Sequence, residues 1–436
     1  MFNKFFLILF SVFVLGQIGA QDFGFDDDAQ TESKNSFSAY IGGEASASII
    51  SYVKDFSVGM KDVSLGDIFS GFLNFSAGGS IAEGYISLNL EPSEMPVTLD
   101  EAYVRAFFGN FEIEGGLRKL TWGKADSFGV LDVINPLNYS ELTDLSDLMN
   151  FKIPRPLVRL SFRFGSFSKL EGVFVPVFKP MLSAQEGRWE PAQMRQLREY
   201  EAGENITVNR PDTSTLNYAQ TGLRFTTTIG SADIGAQYYY GRLTKPALTL
   251  ITLNPPTIEF LYNPYHQIGI DWAQVLFGFN IRAEFAANIT EDLSGDDPSV
   301  YNPHLAWSFG FDRNLFWGIN LNLQCNQTIR LLDNMILFDQ IPTMNMYWDL
   351  EAGSDMTATQ IIASLSKLFL RDQLEARATV FWEIEARDFM IVPSLVWTKD
   401  AISVELSGGI FAGDSNGQFG QYKDNKFVKV GMSYNF

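Results

Sequence analysis

Side chains alternate between apolar and polar along most of the chain, the two-residue period of β-strands whose faces meet different surroundings. From Val275 to Asn288 one face reads Val275, Phe277, Phe279, Ile281, Ala283, Phe285, Ala287, and the other Leu276, Gly278, Asn280, Arg282, Glu284, Ala286, Asn288. From Leu315 the apolar face carries Trp317, Ile319, Leu321, Leu323 and Cys325, opposite Asn320, Asn322, Gln324 and Asn326. Leu374 to Ala386 repeats the pattern, with Glu375, Arg377, Thr379, Glu383 and Glu385 opposite Leu374, Ala376, Ala378, Val380, Trp382 and Ile384. Strands of a soluble sandwich run to about five or six residues. These are about twice as long, the length a tilted strand needs to cross a bilayer.

Connections alternate in length. Tight turns are predicted near Gly78-Gly79-Ser80, Gly109-Asn110, Gly165-Ser166, Gly230-Ser231, Asp271-Trp272-Ala273, Asp312-Arg313-Asn314, Arg371-Asp372 and Lys399-Asp400. Longer segments fall near 52–67, 91–98, 123–155, 179–215, 243–261, 289–302, 330–354 and 413–422, with one short exception at Ala386-Arg387-Asp388. Adding an opening strand at Ser36 to Ile50 and a closing one at Lys423 to Phe436 gives eighteen strands. Sixteen is the alternative, since 81–91 and 388–398 are weakly patterned. The fold class is therefore all-β: a transmembrane antiparallel up-and-down barrel over 36–436, with the polar face towards the lumen.

The amino terminus reads as a secretory signal over 1–20: a basic start ending at Lys4, an apolar run from Phe5 to Leu15, and small residues up to Ala20. That run is too short for a membrane helix, and no later window is long and apolar enough. Residues 21–35 form an acidic lead-in with Asp22, Asp26, Asp27, Asp28 and Glu32.

Over the 436 residues, 32 Lys+Arg stand against 51 Asp+Glu, a net charge of −19, which excludes nucleic acid as a partner. Cys325 is the only cysteine, so disulfides, thiolate zinc sites and redox pairs are excluded. The two histidines, His266 and His304, sit beside turn formers, and no Gly-x-Ser-x-Gly elbow, P-loop or His-Glu-x-x-His occurs. Neither an enzyme nor a cofactor or metal site is expected.

Projected onto the water side are Arg105, Arg118, Arg159, Arg163 and Arg224 in the first half, Arg282 and Glu284 next, and Glu375, Glu383, Glu385 and Glu405 late. Either these charges set up a transverse field across a pore, or they are ion pairs within the wall that keep the lumen wet. The segment from Gly123 to Arg155 carries Asp126, Asp132, Glu141, Asp144 and Asp147. It either folds inward as a constriction or projects as a surface loop. Ala184 to Tyr200 has helical spacing after Pro191 and predicts a short helix in an outer loop or the mouth.

The closing residues, Lys429-Val430-Gly431-Met432-Ser433-Tyr434-Asn435-Phe436, resemble the carboxyl-terminal signal by which the barrel-assembly machinery recognises outer-membrane barrels. Gly431, Tyr434 and Phe436 carry that resemblance. A second one joins Leu99-Asp100-Glu101-Ala102-Tyr103, Gly116-Leu117-Arg118, Trp122-Gly123-Lys124-Ala125-Asp126 and Asp132-Val133-Ile134-Asn135-Pro136, which look like a family of porin-like outer-membrane barrels. Trp122 itself is expected at the membrane interface, where an amphipathic ring is favoured. The resemblances imply a bacterial outer-membrane porin and say nothing of its substrate; the polar lumen is read as passing small hydrophilic solutes by diffusion, and the apolar exterior suits outer-membrane lipid and a homotrimer contact alike. A plugged transporter for hydrophobic substrates, using 21–35 as the plug, and a closed barrel with adhesive loops are the alternatives.

Overall fold

The computed structural model describes residues 37–53, 63–64, 69–91, 95–144, 148–203, 206–253, 256–297, 299–332, 351 and 355–436. The expected signal at 1–20, the lead-in at 21–35 and Asp147 lie outside the described residues.

Eighteen antiparallel strands close on themselves: β1 Ser38–Tyr52, β2 Phe69–Gly78, β3 Ala82–Leu90, β4 Val97–Phe108, β5 Phe111–Arg118, β6 Arg155–Phe164, β7 Ser168–Val175, β8 Gln220–Ile229, β9 Ala232–Arg242, β10 Pro264–Leu276, β11 Phe279–Thr290, β12 His304–Asn314, β13 Ile319–Arg330, β14 Thr357–Phe369, β15 Leu374–Glu383, β16 Asp388–Lys399, β17 Ile402–Ala412 and β18 Phe427–Asn435. Each strand pairs with the next, and β1 pairs with both β2 and β18, so no edge is left in lipid. Gly43 and Phe436 exchange both N–H···O bonds at 3.0 Å where the ends meet. Both weakly patterned strands, β3 and β16, are present.

Alternation fixes the faces. Val104, Ile270, Leu365, Leu406 and Val430 stand exposed on the outside, while their strand neighbours Arg105, Asp271, Ser364, Glu405 and Gly431 face inward. The exterior is thus an apolar band of the kind that hydrocarbon, or the apolar face of another copy, covers without cost. Among the described residues no helix is long and apolar enough to cross a membrane.

The fifth turn is displaced from its predicted place. Phe277 and Gly278, with φ of 54° and 78°, form the tight turn between β10 and β11, because two consecutive left-handed residues match the strand twist. Val275 and Leu276 therefore belong to β10, and Asp271 lies mid-strand on the inner wall. The next turn falls at Trp317-Gly318, with φ of 60° and 70°, so β13 starts at Ile319 rather than Leu315.

The interior is partly filled by the chain's own loops. Inward Ile50, Tyr52, Ile362, Phe381, Met390, Phe411 and Phe427 pack with Leu142, Phe151, Trp189, Phe419 and Tyr422 from the loops, forming a buried apolar core within the barrel. At the long-loop end stand the helix α1 Ala192–Ala202, where the spacing after Pro191 places it, and a small sheet of Thr207–Asn209, Pro256–Leu261 and Ala247–Leu253.

Candidate functional site

The connection from Lys119 to Pro154 enters the lumen. Its base is tied by Asn135, whose Oδ1 accepts from Leu120 N–H at 2.8 Å while Nδ2 donates to the carbonyls of Arg118 and Ile153 at 3.0 and 2.8 Å. Trp122 is 2% exposed and donates its indole N–H to Glu171 on β7 at 2.7 Å. It lies inside the barrel, against Tyr239 and over Gly222, and not at the membrane interface. A buried indole N–H needs a partner, and a lumenal carboxylate supplies one where lipid could not.

Wall residues on β9 to β13 hold the rest of the loop by its backbone. Glu284 accepts from the N–H groups of Lys124, Ala125 and Leu131, the last two at 2.7 and 3.1 Å. Gln237 and Gln267 donate to the carbonyls of Leu131 and Val130 at 2.9 and 3.1 Å. Gln324 accepts from Ser127 N–H at 3.1 Å, and Asn326 donates to Phe128 O at 2.9 Å. Asp126 pairs with Arg282, which also holds Asp312 at 2.7 Å. Asp132 meets Lys152 Nζ at 2.6 Å, and burial pushes its carboxyl above the ordinary range despite that cation. Glu141 binds Thr143, and Asp144 lies 3.8 Å from Lys429.

The inward charges are sorted within the wall. Arg105 meets Glu83, Glu112 and Glu114; Arg118 meets Glu101 and Glu114; Arg159 meets Glu112, Glu114 and Glu171; Lys169 also meets Glu171. Four cations thus face five carboxylates on neighbouring strands, which cancels the positive wall a transverse field would require. Arg163 sits at the short-turn end of the same face, across the ladder from Lys169. Arg224, 6% exposed, pairs with Asp271 at 2.6 Å. Arg224 and Glu284, both expected on the open pore surface, are covered by the inserted loop. Glu375 pairs with Arg377 at 2.6 Å, Glu383 accepts from Gln360, and Glu385 accepts from Thr357 and Thr359.

Among the described residues two cavities lined by charged and polar side chains lie along β13 to β15. The lower, about 580 Å³, is lined by Asp126, Asp132, Lys152, Asn322, Ser364, Arg377 and Thr379. The upper, about 820 Å³, lies towards the long-loop end and is lined by Lys245, Tyr301, His304, Arg330, Glu351, Asp355, Glu383, Glu385 and Asp414. His304 therefore lines the upper cavity, whereas His266 stacks between Tyr238 and Tyr240. Phe128, Ile362, Phe381 and the Gln360–Glu383 pair stand at the level between the cavities. Among the described residues no cluster of His, Cys, Asp and Glu has the arrangement of a metal site.

A second loop crosses the mouth. It leaves β7 and reaches the far wall, where Trp189 packs on Tyr52, Phe411, Tyr422 and Phe427. Tyr422 donates to Trp189 O at 3.1 Å and Asn425 to Arg188 O at 2.8 Å. Buried Asp388, accepting from Phe419 and Gly420 N–H, holds the facing loop. Neither Trp189 nor Asp388 stands out by sequence spacing. At the barrel's closing end Tyr434 and Phe436 stack on each other with ring centroids 6.2 Å apart, and Gly431 faces inward.

No family model matches the chain, and no curated protein does. Solved structures with a similar fold include Wzi of Escherichia coli, a carbohydrate-binding β-barrel involved in group 1 capsule assembly (12% identity, 91% of this chain and 84% of that one, TM-score 0.47). The outer-membrane channel DcaP of Acinetobacter baumannii matches at 10% identity over 94% of this chain and all of that one (100%), with a TM-score of 0.44. A loop-deletion form of the outer-membrane protein OmpT of Vibrio cholerae matches at 8% identity over 92% and 99%, with a TM-score of 0.41. With its closed sheet, lumen-side charges and continuous apolar band, this chain is an outer-membrane barrel.

Proposed function

We propose that the protein is a channel for small hydrophilic solutes whose water path runs off-centre, along β13 to β15. The observation that carries this reading is the placement of two cavities lined by charged side chains on one stretch of wall, beside the inserted loop and the apolar core. The Gln360–Glu383 pair, with Phe128 and Phe381 beside it, is the constriction between them. Glu351, Asp355, Glu383, Glu385 and Asp414 outnumber Lys245 and Arg330 in the upper cavity. The lower one balances Asp126 and Asp132 against Lys152 and Arg377. Cations are therefore favoured at the outer mouth. Recognition of Gly431, Tyr434 and Phe436 by the barrel-assembly machinery belongs to the same reading and is supported by the stacking of Tyr434 and Phe436 at the closing end of the last strand.

The experiment is single-channel recording of the refolded protein in a planar bilayer under a salt gradient. Discrete steps with a reversal potential favouring cations, weakened in Glu383→Gln, are expected. A folded barrel without conductance would support a second reading, a plugged transporter, which the apolar packing of two loops against β1, β17 and β18 favours.

A further inference from the structure

The seam between β16 and β17 is interrupted at mid-membrane. Its ladder pairs Ile391 with Ile410 and Ser394 with Ser407, but no bridge joins Val392 and Pro393 to Gly409 and Gly408. The other barrel seams run through, apart from a single-residue bulge at Asp100. Pro393 has no N–H to donate, which is why proline is rare in an interior strand. Gly408 meanwhile leans towards β18: an added Cβ there would lie 2.8 Å from Phe427 O. On the lumen side the gap is sealed, because the Phe427 ring covers Gly409, where an added Cβ would fall 2.3 Å from it.

On the lipid side the gap stays open as a crevice of about 680 Å³, floored by Ala376, Ala378, Pro393 and Gly408 and flanked by Leu395 and Leu406. Lys426 lies at its long-loop rim and Lys367 at its short-turn rim, the two heights at which lipid head groups lie. We propose that this crevice holds an acyl chain of a membrane phospholipid, its phosphate paired with Lys367 at the short-turn rim, the side on which an outer membrane carries its phospholipid. Hydrocarbon surrounds this band, the lining is apolar, and the rim cation complements an anionic head group. The inference stands whether or not the lumen conducts.

The test is photolabelling of the full-length protein in vesicles of phosphatidylethanolamine carrying a diazirine on the acyl chain, with adducts mapped by peptide mass. Labelling several-fold denser on 376–378 and 393–410 than on outward strand residues elsewhere is expected. Ala378→Phe, which fills the floor from outside and leaves the ladder alone, removes that excess, and Lys367→Glu lowers it; unheated gel mobility reports that each variant is folded. Even labelling around the barrel, or an excess that survives Ala378→Phe, overturns the proposal. So does an unlabelled seam in a protein whose native mass is that of two copies, which would assign the crevice to self-association.

Discussion

Glu284 leaves no room for a side chain at Gly123 where the inserted loop meets the wall: a Cβ added to Gly123, whose φ is +96°, would collide with Glu284 Oε1. The same carboxylate takes three backbone N–H groups of the loop. Hydrogen bonds to a charged group contribute about 1.5–3 kcal/mol each. Glu284→Ala is therefore expected to loosen the loop at 123–131, which Trp122, Gln237 and Gln267 still tie to the wall, without unfolding the barrel. Conductance rises and its noise increases, while heat-dependent gel mobility is unchanged; identical single-channel traces would remove Glu284 as the loop's anchor.

Arg159 and Arg163 stand on one face of β6 but differ in surroundings. Arg159 is ringed by Glu112, Glu114 and Glu171, whereas Arg163 lies at the rim across from Lys169. Breaking a buried pair by removing one partner costs about 3–5 kcal/mol. Arg159→Glu, which adds a fourth carboxylate to that cluster, is expected to cut the yield of refolded barrel sharply. Arg163→Glu folds normally and moves the reversal potential towards cations. Equal refolding yields on a detergent gel would show that the ring around Arg159 contributes little.

The barrel was legible because period-two alternation is set by the two solvents on either side of a sheet, and that signal is local. Turn positions were less so: Phe277 in a left-handed conformation leaves no compositional mark, and the alternation runs on through a two-residue turn, so Asp271-Trp272-Ala273 looked like the better break. The arginines could be placed on the lumen side from sequence. Their partners could not, since Glu114 meets Arg159 through strand register rather than spacing. Trp122 followed a general interfacial preference in the sequence reading, and the inward course of its loop overrode it. The mouth loop's reach to β17 and β18 joins positions 189 and 422, a separation no local pattern encodes.

Trp189 is the anchor of the mouth-crossing loop, enclosed by four aromatic rings. Truncating a buried tryptophan costs about 3–5 kcal/mol. That is enough to loosen a loop whose other ties to the far wall, among the described residues, are the Arg188 guanidinium over the Tyr52 ring and hydrogen bonds such as Tyr422 to Trp189 O. In Trp189→Ala, limited proteolysis is expected to cut between 184 and 203 while the strands remain intact, and conductance to increase. Protection equal to that of the parent would mean that α1 holds the loop without Trp189.

Docking of α1 should also respond to acid. Arg198 grips Glu190 through both carboxylate oxygens, at 2.7 and 2.9 Å, with Arg195 at 3.4 Å. The Arg198 hydrogen bond holds the Glu190 carboxyl below its ordinary range. A carboxyl whose folded-state pKa is depressed contributes its full stabilisation above the ordinary glutamate value of about 4.3 and loses it as pH falls through the depressed one. Between pH 6 and pH 3, hydrogen exchange in 187–203, corrected for intrinsic rates, is expected to stay slow at first and accelerate only at the acid end. The β-strands stay protected throughout, and Glu190→Gln exchanges faster at pH 6 with a flatter pH profile. A variant that kept the parent's steep acid response would place the titrating group elsewhere in the loop, with Glu186 and Glu199 the next to replace.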